Sequence, residues 1–557
     1  MIQSHVLRTS SISSQNLDVK YLLKLANMSS NKERKIDFLH TINEYPSIMN
    51  LIKYSSESLY NVLKNEVENI NDKKLDNVIT SVYKYLLRYS TRPTPNGYFG
   101  ISTLININNE DSYNKIKLID KKFHIEISGR VIFSLYNFII KNLEFFQSLK
   151  INKNKILNIS NQNYSLPIRG ENPKANEDDY IIYNRNKVID DILNKCNMEN
   201  SVAVEDIVNI LMNNFSLKKE ESIYVIKNLL HSRILVLQIY PEQLDIPNFQ
   251  RMVNHLKLAN EEFTERIEYF RINEIIKDLL NEYNEEKFYY LRNYIKEKIN
   301  IDKGVFINTE AIFNFPSINL NISNIEKLVN LLKDIENLPS MENVLLNEYR
   351  NKFLDKYGYN IAININELFD EIDGLGSPFR LNKISKSSLN IKEQFEKELR
   401  LQLQKNKDDE TIYITDELIK RLSSVKTSIN ECSRKSLGLD INYKVFSSQD
   451  DYFNIMLQST PITYSPYCYR GRFNFLNKDT EYIDGITKLK YISHNSDLWE
   501  VQASYQSTKN EININENIYI SLNEDGRFII LDENKRSLSV STFNMTNLNM
   551  KSDQELY

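Results

Sequence analysis

The sequence predicts an α+β protein of several subdomains, with a winged helix-turn-helix unit embedded in it. Three observations predict this. A chain of 557 residues is too long for a single hydrophobic core. Helical stretches at about 17–90 and 250–355 are followed by a mixed remainder rather than a regular βαβ rhythm. Between them, residues 155–240 run through strands, then helices, then a final strand, the order of a winged helix. With 41% hydrophobic and 26% charged residues the composition is that of a globular protein, not a disordered one.

Taken in order, Leu75, Val78, Ile79, Val82, Leu86 and Leu87 recur at helical spacing and would bury one face. That helix must stop near Ser90, because Pro93 and Pro95 cannot continue it and bias their predecessors to extended backbone. Gly97 and Gly100 permit a turn into a strand at 101–107. In the middle unit, 164–168 and 180–183 read as strands. Residues 188–193, 202–212 and 220–230 read as amphipathic helices, and 234–239 as the closing strand. Further strands are expected at 361–365, 411–414 and 518–522, with strand or loop at 306–322. The expected organisation is 1–154, 155–240 and 241–557.

The net charge of −4 gives no global basic field for nucleic acid, so any RNA site must be local. Cys196, Cys432 and Cys468 lie far apart, which suits a reducing cytoplasm and neither a disulfide framework nor a zinc site. The N-terminus lacks the apolar core of a signal peptide, and the most apolar run, 131–140, is too short to span a bilayer. The expectation is a soluble cytoplasmic protein that meets a membrane only through a biosynthetic complex. No P-loop, GxGxxG, HExxH or GxSxG motif occurs. The histidines His5, His40, His124, His231, His255 and His494 form no metal-ligand spacing, and each reads as an ordinary surface or core imidazole. No metal or resident cofactor is expected.

Two local charge anomalies remain. No carboxylate lies between Asp76 and Glu110, where Lys84, Arg88 and Arg92 supply positive charge. None lies between Asp451 and Asp479, where Arg470, Arg472 and Lys478 do the same. Arg88 and Arg92, four apart at a helix end, could share a face and grip phosphate oxygens bidentately, with the Thr91 and Thr94 hydroxyls as further donors. On charge alone, a solvated helix end with a proline-rich turn explains the same residues.

The run Arg88-Tyr-Ser-Thr-Arg92-Pro-Thr-Pro-Asn-Gly-Tyr-Phe-Gly100 resembles the R-x-S-x-R-x-T-P-x-G-x-F-G segment of the tRNA-dependent lantibiotic dehydratases. The start His5-Val-Leu-Arg8-Thr9 is similar to theirs. So are Tyr349-Arg350, Phe353 and Lys356-Tyr357-Gly358, then the stretch from Glu367 through Asp370, Gly374 and Gly376 to Pro378, and finally Gly471-Arg472-Phe473. The five elements occur in the family's order over nearly the whole chain. Ser10 stands where a proline is usual and Asn96 where an aromatic is usual.

The resemblance implies glutamylation: transfer of glutamate from glutamyl-tRNA, as co-substrate, to Ser and Thr of a precursor peptide. It places Arg8, Arg88, Arg92, Arg470 and Arg472 at the tRNA, with Arg88, Arg92, Thr94, Asp370 and Arg472 as the catalytic set. Asp370 would orient an arginine or recognise the α-amino group, or else serve as a turn residue before Gly374. Glu126 stands where the family has one of a pair of carboxylates; the pair is not intact, so Glu126 is kept apart from that set. The 155–240 unit would capture the peptide's leader as an added strand along Tyr180, Ile181, Ile182 and Tyr183. The chain stops at Tyr557, so the rest of the glutamylation domain and the elimination domain are expected on a second chain, and a homodimer is expected. Two other readings stand beside this one: a peptide–aminoacyl-tRNA ligase extending a peptide C-terminus, and a non-catalytic leader-binding protein.

Overall fold

The computed structural model describes residues 5–10, 17–28, 31–65, 67–92, 97–108, 112–113, 122–154, 157–167, 180–196, 201–238, 248–299, 306–312, 318–321, 326, 329–330, 341–370, 373–376, 386–405, 415–426, 440–447, 453–463, 473, 476, 490–493, 511–513, 518–538 and 540–541. After strand β1 (His5–Ser10) come helices α1 (Leu17–Met28), α2 (Lys32–Asn43), α3 (Pro46–Ser55), α4 (Glu57–Asn65) and α5 (Asp72–Thr91). These are followed by β2 (Gly97–Asn108), β3 (Ser112–Tyr113), β4 (Lys122–Ile127), α6 (Gly129–Lys141), β5 (Lys150–Lys153), β6 (Asn158–Ile159), β7 (Asn163–Pro167) and β8 (Tyr180–Asn184). Next are α7 (Lys187–Lys195), β9 (Val202–Ala203), α8 (Val204–Phe215), α9 (Lys219–His231) and β10 (Leu235–Gln238). Then follow α10 (Asn248–Ala259), α11 (Glu261–Glu265), α12 (Glu268–Asn281), α13 (Glu285–Ile299), β11 (Ile307–Ile312) and β12 (Ile318–Asn321).

The first five helices close over a core that includes Leu22, Phe38, Leu39, Ile42, Ile52, Leu63 and the inner face of α5. On α5 that face is Leu75, Val78, Val82 and Leu86, as the spacing predicts. Each such side chain contributes about 1.5–3 kcal/mol of transfer free energy. Asn71 starts the helix by accepting the Lys74 N–H at 2.9 Å. Tyr89, packed with Leu51 of α3, pins its far end.

Strand β2 is the centre of the principal sheet, whose order is β3-β12-β2-β11-β4 with β1 also paired to β2. β1 and β4 run antiparallel to their neighbours, whereas β11 and β12 pair with β2 in parallel. One face of the sheet is apolar. Ile101, Ala311 and Phe123 cluster there, and Ile125, Ile127 and Ile307 join a large core with α6, α8, α9, α10, α12 and α13. On the same side the Tyr54 and Thr309 hydroxyls share a hydrogen bond. Arg292 Nη1 donates to the Tyr54 carbonyl at 3.2 Å, which ties α13 to α3.

The 155–240 stretch holds strands, then helices, then a strand, but these strands do not form one sheet. β6, β7 and β8 make an antiparallel meander, while β9 and β10 both pair with β5, which lies before residue 155. The cause is burial: Leu235, Val236 and Leu237 are all buried, and pairing with β5 places Leu235 and Leu237 in the large core. A self-contained winged helix is therefore not what is observed. Val202 also opens as a strand rather than as the first turn of α8.

Farther on, the helix Met341–Tyr357 packs on a small sheet in which Ile363–Asn364 pairs with Tyr519–Leu522, and that strand with Phe528–Leu531. Tyr349, Phe353, Ile363, Ile365, Leu368, Ile518, Ile520 and Leu522 form its core. The strand expected at 411–414 lies outside the described residues. Among the described residues no helix is long and apolar enough to cross a membrane.

Candidate active site

The arginine turn begins at the C-terminus of α5. Arg88 is in the last helical turn and exposed, and Arg92 is the C-cap, also exposed, its N–H donating to the Arg88 carbonyl at 3.2 Å. Arg92 has φ −122° and ψ 123°, extended backbone. Pro93 excludes the helical conformation from the residue before it, so Arg92 ends the helix one turn beyond Arg88. The Thr91 hydroxyl donates to the Leu87 carbonyl at 2.6 Å, so that donor is turned into the helix rather than toward a ligand. Two cations at this helix end also offset its partial negative charge. Thr94 lies outside the described residues.

Beyond the turn, β2 carries the chain into the central sheet. Gly97 is the register partner of Glu310, and Ser102 is the partner of both Arg8 and Ile312. Across β11, Glu310 faces His124 and Asn308 faces Glu126. Because side chains alternate, Ser102, Glu310, His124 and Glu126 share the face opposite the apolar core. The sheet thus joins three features far apart in sequence: Arg8, the end of the arginine turn, and Glu126.

This face is polar yet enclosed. Glu126 is 5% exposed and Glu310 8%. His124 Nε2 pairs with Glu126 Oε1 at 2.7 Å, and its side chain is 15% exposed. Ser128, two residues past Glu126, is 7% exposed, and its Oγ has no hydrogen-bond partner among the described residues. Ser128 is also the N-cap of α6 yet makes no side-chain cap. Sequence reading missed His124, Glu310 and Ser128. The alternation of His124 and Glu126 with Phe123, Ile125 and Ile127 was the one local signal.

Asp370 lies beside the Met341–Tyr357 helix, where Oδ1 accepts the Asp373 N–H at 2.7 Å and its carbonyl accepts the Gly374 and Gly376 N–H groups at 3.0 and 3.2 Å. Lys356 Nζ donates to the Asp373 and Gly374 carbonyls at 2.6 and 2.8 Å, and the Tyr349 hydroxyl to the Gly376 carbonyl at 2.8 Å. Asp370 is thus an organiser of the glycine loop. Arg470 and Arg472 lie outside the described residues; Phe473, next to Arg472, is buried.

Strand β8 pairs with β7 and, among the described strands, with no other. Tyr180, Ile181, Ile182 and Tyr183 oppose Pro167, Leu166, Ser165 and Tyr164. Ile182 is 62% exposed. The hairpin is braced from below: the buried Tyr164 donates to Asp190 Oδ1 at 2.7 Å, and Arg185 Nε reaches both Asp190 oxygens at 3.0 Å. These partners hold the Asp190 carboxyl below the usual carboxylate range. No group of three or more His, Cys, Asp or Glu side chains among the described residues could hold a metal.

The sequence profile of the lantibiotic dehydratase N terminus matches residues 44–449, well over half of the chain. The chain belongs to the lantibiotic dehydratase family. The matched span of this family member includes the arginine turn, Glu126 and Asp370. Epidermin biosynthesis protein EpiB of Staphylococcus epidermidis is 23% identical over 336 residues, which are 55% of this chain and 31% of EpiB. Among solved structures, the tRNA-dependent lantibiotic dehydratase MibB from Microbispora sp. 107891 superposes with a TM-score of 0.70 at 14% identity, over 98% of this chain and 55% of MibB. The glutamylation domain of TbtB, from thiomuracin biosynthesis, gives 0.61 at 11% identity, over 93% of this chain and 68% of that one. The same domain has been solved with 5'-phosphodesmethylglutamycin bound. At these identities the structural likeness is one of fold. The chain spans about half the length of MibB and matches under a third of EpiB.

Proposed function

We propose that this chain acts in lanthipeptide biosynthesis as an aminoacyl-tRNA-dependent acyltransferase, moving glutamate from glutamyl-tRNA onto Ser and Thr side chains of a precursor peptide. The observation that carries the reading is the junction of the arginine turn with the polar face of the central sheet, through Gly97 beside Glu310. In the reaction a peptide Oγ attacks the ester carbonyl and a new C–O bond forms. The bond from that carbonyl to the ribose oxygen breaks, and the hydroxyl proton ends on the ribose oxygen. No protein nucleophile is needed, because the acyl group arrives activated.

Arg88, Arg92 and Arg472 bind phosphate oxygens of the tRNA 3′ end and stabilise the charge that develops on the ester oxygen. Arg8 and Arg470 add to the tRNA contact, and Thr94 contributes a hydrogen bond within the turn. Asp370 fixes the Gly374–Gly376 loop. The leader peptide adds to the open edge of β8, with backbone hydrogen bonds for affinity and Ile182 for an apolar contact.

The test is to incubate the chain with its precursor peptide and glutamyl-tRNA and to analyse the peptide by mass spectrometry. A glutamyl ester on a Ser or Thr side chain is expected; a C-terminal amide extension, or leader binding without any adduct, would overturn the reading. Arg88→Ala with Arg92→Ala should lower adduct formation by about 10²-fold or more while leaving leader binding intact.

A further inference from the structure

We propose that the exposed ridge of α5, from Lys73 to Arg88, is a docking track for the duplex acceptor stem of the tRNA whose 3′ end the arginine turn holds. The proposal rests on the acyl-transfer reading above and names the surface that takes the body of the donor.

With Leu75, Val78, Val82 and Leu86 turned into the bundle, the opposite side of α5 presents Lys73, Asn77, Thr80, Lys84, Arg88 and Thr91. These positions follow one another at three- and four-residue steps, so they form a single ridge, and all six are exposed. From Lys73 to Arg88 the ridge runs about 22 Å. None of its positions is acidic or apolar. The two carboxylates of α5 lie beside it and are matched from α2, where Lys35 pairs with Asp76 and Lys32 with Asp72 at 3.4 Å. Lys73, Lys84, Arg88 and Arg92, by contrast, make no side-chain hydrogen bond or ion pair among the described residues. The C-terminal end of the helix carries about half a negative charge, which Lys84, Arg88 and Arg92 together outweigh. On a chain of net charge −4, such a ridge is the kind of local basic field that an RNA partner requires.

Continuity selects the occupant. The single-stranded 3′ end of a tRNA is covalently continuous with its acceptor stem, so a stem whose end lies at the arginine turn must leave that turn along an adjoining surface. α5 is the straight element that ends in the turn, and its ridge leads away from Arg88 without a break. Duplex RNA is recognised chiefly through its shape, its phosphates and its 2′-hydroxyls. The ridge offers matching groups: cations for phosphate oxygens, with the Asn77 amide and the Thr80 hydroxyl between them for phosphate or ribose. A membrane surface fits less well. A helix that lies in an interface inserts an apolar face, and the apolar face of α5 is already buried in the bundle. Lys84 is the new contact that this assignment adds, one helical turn before Arg88 and with nothing in the fold depending on it.

The experiment measures binding of the full chain, by fluorescence anisotropy across a salt series, to two RNA probes. One is a hairpin with the acceptor stem of a glutamate tRNA and its single-stranded 3′ tail; the other is the tail alone. The wild type should bind the hairpin more tightly than the tail and with the steeper salt dependence. Lys84→Gln should lower hairpin affinity about five- to tenfold at roughly 50 mM salt and flatten the slope of log K against log salt by roughly 0.9. Binding of the tail should not change, and Lys84→Arg should restore both hairpin values. Adding Lys73→Gln to Lys84→Gln should flatten the slope by about twice as much. Lys195→Gln, the same loss of charge on α7, should leave all of these at the wild-type level. A hairpin bound no better than the tail overturns the track, as does an unchanged slope in Lys84→Gln or an equal loss in Lys195→Gln. So does a ridge that binds vesicles of anionic lipid in preference to the hairpin. Ridge-dependent hairpin binding with no glutamyl transfer keeps the track and overturns the acyl-transfer reading. Transfer by the double variant at the wild-type kcat/KM for tRNA keeps that reading and overturns the track.

Discussion

Cys196 is fully buried, and burial pushes its thiol up to about 12. At neutral pH it is a protonated thiol inside the large core, where neither thiolate chemistry nor reagent access is available. Alkylation should therefore leave Cys196 unlabelled in the native protein and label it on unfolding, as peptide mapping after iodoacetamide treatment would show. His255 offers a complementary probe. Burial, and then the nearby Lys150 ammonium, hold its imidazole below the ordinary value of 6.5. The unfolded chain then binds a proton that the folded chain refuses, so stability is unaffected above 6.5 and falls as pH drops through it. The urea midpoint of the wild type should fall more steeply between about pH 7 and 5 than that of His255→Gln; identical slopes would remove His255 from the linkage.

Elements divide into those written locally and those written at a distance. The end of α5 was legible because Pro93 and Pro95 act on their immediate neighbours, and its buried face because Leu75, Val78, Val82 and Leu86 repeat at helical spacing. The extended backbone of Arg92 follows from the same proline. The polar face was not legible: Glu310 meets His124 only through the register of β11 on β4, which no local pattern specifies. Asp370 illustrates the converse, since its carboxylate caps a turn, as its place before Gly374 allowed. That turn makes its own prediction. A Cβ on Gly374 would sit 2.5 Å from the Leu368 and Asp370 carbonyl oxygens and closer still to that of Glu367. Backbone must shift to admit it, so Gly374→Ala should lower stability by about 1–3 kcal/mol, read from denaturant unfolding. On the β8 edge, Ile182→Asp should weaken leader binding without changing the helical signal in circular dichroism.

At the scale of the molecule the large core runs from Ile125 to Ile307 and passes through every helix of the 155–240 stretch. Ile207, Leu211, Ile226 and Leu230 are buried in company with Val131, Leu135, Met252 and Ile272, which lie on either side of it. A fragment limited to 155–240 lacks β5, on which β9 and β10 pair, and should show little protection from amide exchange. Extending it to include α6, β5 and α10 should restore protection to α8 and α9. Strong protection in the short fragment would mean that the stretch closes a core of its own.

The pairing of β2 also fixes an order of events during synthesis. Its partners β1 and β11 begin at His5 and Ile307, so the strand that follows the arginine turn waits for about two hundred further residues before its second neighbour exists. The helices α1–α5, whose shared core is made within residues 22–86, can settle as soon as they leave the ribosome. Nascent chains arrested before residue 300 should then resist protease across α5 while remaining open at β2. A prematurely released chain could hold a folded amino-terminal bundle and still be inert.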